Sequence, residues 1–227
     1  MKVGILQTGH APEQVIGSLG DYDQMFARLL EPHGIECQNW AVVDGVFPDG
    51  AEAADGWLVT GSRHGAYEDH DWIPPLEGLI RSIQSSGRPM VGICFGHQII
   101  AQALGGRVVK FEGGWAIGRQ SYSYNGREIA VNAWHQDQVV DVPPGAEVSA
   151  SSEFCANAGL VYGNQIWTIQ PHPEFGSEMV EALTTHRAPG IVAPDRIAKA
   201  LDDLEKPTDR MEIMAEIADF LKQGVLP

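Results

Sequence analysis

Apolar positions along the first hundred residues follow two rhythms. Residues 2–8 form a short apolar run closed by Gly9, and residues 35–43, 57–60 and 89–93 repeat the pattern. Runs of this length, rich in β-branched side chains and bounded by Gly or Pro, predict buried strands. Between them the spacing becomes helical: Tyr22, Met25, Phe26 and Leu29 recur after Asp21, with Gly34 placed to end the helix. Ile73, Leu76, Ile80 and Ile83 do the same after a start marked by Pro74 and Pro75. Residues 10–20 carry turn formers and few apolar side chains, and are predicted to be a loop.

Strands alternating with helices predict right-handed crossovers and a largely parallel sheet, with ligands at the carboxyl ends of its strands. The rhythm changes between residues 107 and 167. Short runs at 119–124, 128–133, 147–151 and 160–162 are separated by Asn125-Gly126, Pro143-Pro144-Gly145 and Gly163-Asn164. These predict antiparallel strands and hairpins. After Phe175, helical spacing returns at Met179, Val180 and Leu183, at Ile197 and Leu201, and at Ile213, Ile217, Phe220 and Leu221, with Asp209 and Glu212 as a capping pair for the last helix. The expected fold is α/β: a mostly parallel central sheet flanked by helices, a smaller antiparallel section, and a helical C-terminal extension over residues 176–227 of one domain spanning 1–227.

Composition narrows the function without changing the fold. A chain of 227 residues with 44% hydrophobic content buries one sizeable core. The formal net charge of −15 and the lack of any Lys/Arg run argue against nucleic acid or an anionic membrane as partner. Cys37, Cys94 and Cys155 are odd in number and widely spaced, which fits a reducing compartment. The apolar part of the N-terminus is too short for a signal peptide, so a cytoplasmic location is expected.

Residues 89–105 hold the first candidate chemistry. Cys94 stands between a predicted strand and a predicted helix, flanked two positions away by Gly92 and Gly96. Such a corner strains its central residue, needs small neighbours, and presents the side chain to the helix N-terminus, where negative charge is favoured. Taken alone, Gly-x-Cys-x-Gly fits either a nucleophile or a buried structural cysteine. A cysteine nucleophile needs a base, and the base needs an orienting partner. His172 and Glu174, in Gln170-Pro171-His172-Pro173-Glu174, are expected to meet because residues two apart in an extended segment share a side. Cys37 and Cys155 read as packing residues. His64, Glu68, Asp69, His70 and Asp71 match no helical or hairpin ligand spacing, so no metal is expected, and no cofactor is implied.

The two motifs together resemble the class I glutamine amidotransferase family, including its free-standing and GMP-synthase-glutaminase-like members. The resemblance implies Cys94 as nucleophile, His172 as base and acid and Glu174 as its orienter, working through a γ-glutamyl thioester to give glutamate and ammonia. It also implies an oxyanion hole from the Phe95 amide and a second donor after Thr60. Many members have Gly-Gly-Pro or Gly-Asn-Pro there, whereas this chain has Gly61-Ser62-Arg63, so Gly61 and Ser62 compete for the role. Gln98 matches a glutamine-pocket position, and His135 and Gln136 lie in a Trp-His-Gln-Asp segment resembling the one that holds the amino-acid end of glutamine. With no Gly-x-x-x-x-Gly-Lys-Ser/Thr loop present, ammonia would serve a synthetase partner in trans. A γ-glutamyl peptidase or hydrolase using the same triad is the alternative, and a catalytically silent regulatory module the third.

Overall fold

Two neighbouring strands decide where the site forms. The computed structural model describes residues 1–224 and 226. In it β1 (Lys2–Leu6), β2 (Glu36–Trp40), β3 (Gly56–Val59) and β4 (Met90–Ile93) pair in parallel in the order β2-β1-β3-β4. The helices α1 (Glu13–Leu19), α2 (Tyr22–Leu30) and α3 (Ile73–Ser86) lie between these strands in the chain, and α4 (Phe95–Ala103) follows β4 directly. The later strands are β5 (Arg107–Lys110), β6 (Ala116–Tyr124), β7 (Arg127–His135), β8 (Asp137–Asp141), β9 (Glu147–Ser151), β10 (Gly159–Tyr162) and β11 (Ile166–Ile169). Of these, β11 returns to pair in parallel with β4, and β10, β9, β6 and β7 extend the same sheet in antiparallel fashion. The hairpins predicted for the middle of the chain therefore continue the central sheet. Among the described residues, β5 and β8 alone form a separate two-stranded ribbon.

Helices cover both faces of the sheet. On one face Phe26, Ile213, Ile217 and Phe220 pack with Val3, Ile5, Val91 and Trp167; on the other Ile73, Leu76, Ile80, Ile99 and Ile100 pack with Val59, Trp57 and Leu160. The segment after residue 176 forms α5 (Ser177–His186), α6 (Pro194–Asp202) and α7 (Arg210–Gln223). Of these α7 is an integral layer of the core, since Ile217, Met214 and Phe220 are fully buried. Helix α5 packs on α1 and α2 through Met179, Val180, Val15 and Tyr22.

Two expectations from the sequence are corrected. Residues 10–20 are not a loop throughout, because Glu13–Leu19 is helical: it starts after Pro12, buries Val15 and stops at Gly20 with φ 79°. A single buried side chain leaves too little periodicity to read. Asp209 and Glu212 do not cap α7. The Asp209 carboxylate accepts the Ala130 amide at 2.7 Å and Glu212 pairs with Arg127, so both acids fasten α7 to β7. No helix among the described residues is long and apolar enough to cross a membrane.

Candidate active site

Ile93 and Ile169 are paired across β4 and β11, so both chains leave the sheet at the same end. The Cys94 amide donates to the Ile169 carbonyl at 2.9 Å, tying the start of the elbow to the segment that leads to His172. Cys94 itself has φ 52° and ψ −102°, a conformation that costs about 1–3 kcal/mol for a non-glycine residue. The neighbouring glycines make the corner physically feasible. A Cβ on Gly96 would lie 2.2 Å from the Val59 carbonyl oxygen, and one on Gly92 would lie 2.7 Å from the Gly96 carbonyl carbon and oxygen. The Gly96 amide donates to Thr60 O at 3.0 Å, which locks the elbow to the end of β3.

The catalytic candidates meet here. His172 Nδ1 is 2.6 Å from Glu174 Oε1, and His172 lies close enough to Cys94 for the two side chains to interact electrostatically. The mechanism of convergence differs from the extended-segment expectation: Phe175 N donates to His172 O at 3.2 Å, so a turn, not strand alternation, brings His172 and Glu174 together. Pro173 lies in that turn and Pro171 directly precedes it, and both stiffen the backbone. Three further contacts hold it. The His172 amide donates to Asn132 O at 2.8 Å, the imidazole stacks on Phe175 with ring centroids 4.0 Å apart, and Arg210 at the start of α7 donates to the carbonyls of Pro173 and Glu174.

Burial alone would lower the His172 pKa, but the Glu174 carboxylate and the Cys94 side chain more than reverse this and raise it to about 10. The imidazole therefore carries a proton at neutral pH. Since the folded-state value lies above the ordinary value of about 6.5, this interaction contributes fully to stability below about pH 6.5 and is lost as the pH rises through about 10. Thermal melts should accordingly show the advantage of wild type over His172→Gln shrinking steadily between these limits. An advantage that grew with pH would contradict the assignment.

Gly61 and Ser62 follow β3 at the same end of the sheet. A Cβ on Gly61 would lie 2.8 Å from His172 Cε1 and 3.7 Å from Cys94 Cβ, so this glycine is required for close approach. Ser62 lines the cavity beyond it. Phe95 opens α4, where the first backbone amides have no intrahelical acceptor. All three expected oxyanion residues thus border Cys94 or the cavity it faces.

The cavity measures about 520 Å³ and reaches Cys94, His172, Gln98, His135 and Gln136. Gln98 Nε2 donates to Asp137 O at 2.8 Å and Gln170 Oε1 at 3.1 Å, so this side chain braces the 135–137 segment as well as lining the cavity. Gln136 Nε2 donates to Phe111 O at 3.1 Å. His135 is held neutral, its pKa pushed to about 3 by burial, and its Nε2 has no protein partner. Burial also raises the Asp137 carboxyl above its ordinary value.

Sequence reasoning missed several contributors. Trp115, Arg187 and Ile191 line the cavity from distant segments with no local signal. Phe175 was readable as the aromatic next to the motif. Asn132 was readable too, as a lone polar side chain in the apolar run of β7; its Nδ2 donates to Phe175 O at 2.9 Å. Cys37 is half-buried and Cys155 buried, and both have raised thiol pKa values from burial. In the 64–71 loop, ligand atoms of His64, Glu68 and His70 all come within 4.8 Å of one another, because a turn closed by Glu68 N to Gly65 O folds the loop back.

An α/β sheet with a strained cysteine elbow, a carboxylate-held histidine and a shared cavity defines a class of protein that the comparisons identify. The family model for glutamine amidotransferase class-I matches residues 50–183, and the chain belongs to this family. It is 32% identical over 177 residues to γ-glutamyl peptidase 4 of Arabidopsis thaliana, covering 71% of this chain and 70% of that protein. It is 31% identical over 179 residues to the glutamine-hydrolysing GMP synthase of Caldicellulosiruptor saccharolyticus, covering 71% of this chain and 34% of that protein. The fold matches a glutamine amidotransferase crystal structure from Thermotoga maritima with TM-score 0.77 at 21% identity, over 99% of this chain and 97% of that one.

Proposed function

We propose that the chain hydrolyses γ-glutamyl amide bonds with Cys94 as nucleophile. The observation that carries this reading is Cys94 on its strained elbow, at the same end of the sheet as a His172 that Glu174 holds at 2.6 Å. The Cys94 thiolate attacks the γ-carbonyl carbon, a C–S bond forms, and the carbonyl oxygen takes the negative charge. Amides at Phe95 and at Gly61 or Ser62 face that oxygen, and losing one such donor costs about 2.7–4 kcal/mol. As the intermediate collapses, the C–N bond breaks and His172 gives its proton to the leaving amine. Water then attacks the thioester, His172 takes a proton from it, and the C–S bond breaks to release glutamate and return the sulfur as thiolate.

Gln98, His135 and Gln136 are assigned to the glutamyl end of the substrate. Arg63, Lys110 and Arg187 place positive charge around the cavity of an otherwise acidic chain, which suits carboxylates on the donor, while Asp137 offers an acceptor for an ammonium group. A cavity of about 520 Å³ lies in the range that encloses a drug-sized ligand and exceeds what one amino acid fills. That size, with Trp115, Trp134 and Ile191 in its walls, favours a γ-glutamyl peptide or conjugate over free glutamine. The similarity to γ-glutamyl peptidase 4 points the same way.

Glutamine hydrolysis coupled to a synthetase partner in trans is the second reading, supported by the similarity to part of a glutamine-hydrolysing GMP synthase. Steady-state kinetics of the isolated chain separate them. Peptide hydrolysis predicts kcat/KM for γ-glutamyl dipeptides well above that for glutamine. Faster glutamine turnover, or activity only after a synthetase is added, would reverse the preference.

A further inference from the structure

A second set of ligand-type side chains converges at the rim of the cavity, apart from Cys94, His172 and Glu174. His64 Nδ1 lies 3.4 Å from Glu68 Oε2, and His70 Nε2 lies 2.8 Å from the same oxygen. Bonds of about 2.0–2.2 Å to a tetrahedral zinc ion place neighbouring ligand atoms about 3.3–3.5 Å apart. One observed separation falls in that range, another is about half an ångström shorter, and no pair of ligand atoms exceeds 4.8 Å. Small side-chain rotations would therefore complete the set.

The scaffold around these side chains is already built. Glu68 N donates to Gly65 O at 3.0 Å, Ile73 N donates to His70 O at 3.0 Å, and Gln102 Nε2 on α4 donates to Ala66 O at 2.7 Å. His70 stacks on Trp72 with planes 12° apart, and His64 meets His70 edge-on with centroids 4.3 Å apart. The side chains remain reachable from solvent, with relative exposures of 20%, 44% and 33% for His64, Glu68 and His70. Two imidazoles with one carboxylate form the donor set of borderline transition metals; magnesium and calcium call for oxygen ligands throughout.

We propose that His64, Glu68 and His70 bind one transition-metal dication of the zinc class, leaving its remaining coordination positions to solvent or to a group entering the cavity. Ser62 Oγ accepts the His64 amide at 3.1 Å, so the metal would also anchor the segment carrying the Gly61 and Ser62 amides. The inference rests on these side chains alone and stands whether or not Cys94 acts as the nucleophile.

Calorimetric titration of zinc chloride into the Cys94→Ser protein tests it, because that background lacks the thiol that would compete for zinc. One zinc per chain is expected, no binding of magnesium, and at least about 100-fold weaker zinc binding in each of His64→Ala and His70→Ala, since loss even of a group supporting a ligand costs 10–100-fold. If His64→Ala does not fold, Glu68→Gln and His70→Gln give the same readout. Cobalt(II) added to the wild-type chain should give a spectrum of nitrogen and oxygen ligation. The proposal is overturned by no zinc binding, by zinc binding that these variants leave unchanged, or by a thiolate-to-cobalt band placing the metal on Cys94.

Discussion

Cys94→Ala is expected to lower kcat/KM for a γ-glutamyl substrate by about 10⁵- to 10⁶-fold, leaving only the residual acceleration that binding and the oxyanion donors supply. The reason is that removing the nucleophile of a triad disables the other members, which act only through it. His172→Ala should fall nearly as far, because the imidazole moves the proton at both stages. Glu174→Ala should be about 10- to 100-fold less severe, because a carboxylate 2.6 Å from Nδ1 orients and stabilises the imidazole without transferring the proton itself. Circular dichroism would confirm that each variant is folded before rates are compared. A Glu174→Ala loss exceeding that of His172→Ala would overturn the division of roles, and substantial activity in Cys94→Ala would remove the mechanism altogether.

The largest effect on stability is expected at Gly96. Its Cβ would sit 2.2 Å from the Val59 carbonyl oxygen and 2.8 Å from the Val59 carbonyl carbon, and that backbone is a fully buried strand paired with β1 and β4. Neither side can give way without breaking the contact between Gly96 N and Thr60 O that fastens the elbow. Gly96→Ala should therefore cost about 3 kcal/mol or more, a fall in Tm of about 6–12 °C for a chain of this size. Gly78, also within a helix, supplies the control. Nothing lies within 4 Å of a Cβ placed there, so Gly78→Ala should raise stability by up to about 1 kcal/mol through helix propensity alone. Equal melting temperatures for Gly96→Ala and wild type would refute the packing account of the elbow.

These two predictions also mark how much was legible in the chain. The fold class was readable because β1, β3 and β4 are short apolar runs and α2 and α3 carry clean helical spacing. The elbow was readable because its requirements are local: a cysteine with small residues two positions away on each side. What the sequence could not reveal was the position of β11. Strand pairing is a long-range property, and nothing in residues 166–169 announces that they will lie beside β4 and so bring His172 to Cys94.

The acid pair at Asp209 and Glu212 was misread for a related reason. Its local pattern fits a helix cap, but Ala130 and Arg127 on another element offered those carboxylates better partners. The convergence of side chains at residues 64–70 was not legible because ligand spacing rules assume regular elements, whereas a turn followed by Trp72 stacking set the loop's geometry. Arg187 and Ile191 reach the cavity through the packing of α5 on α1 and α2, which no local motif encodes.

The central claim is that Cys94 carries the acyl group. Mass spectrometry of peptides from the chain after treatment with a γ-glutamyl electrophile tests it most directly, since Cys37 and Cys155 serve as internal controls in the same molecule. The account predicts a single adduct, on Cys94, abolished by competing substrate and absent in Cys94→Ala. An adduct on Cys37 or Cys155 in preference to Cys94, or no adduct at all, would contradict it.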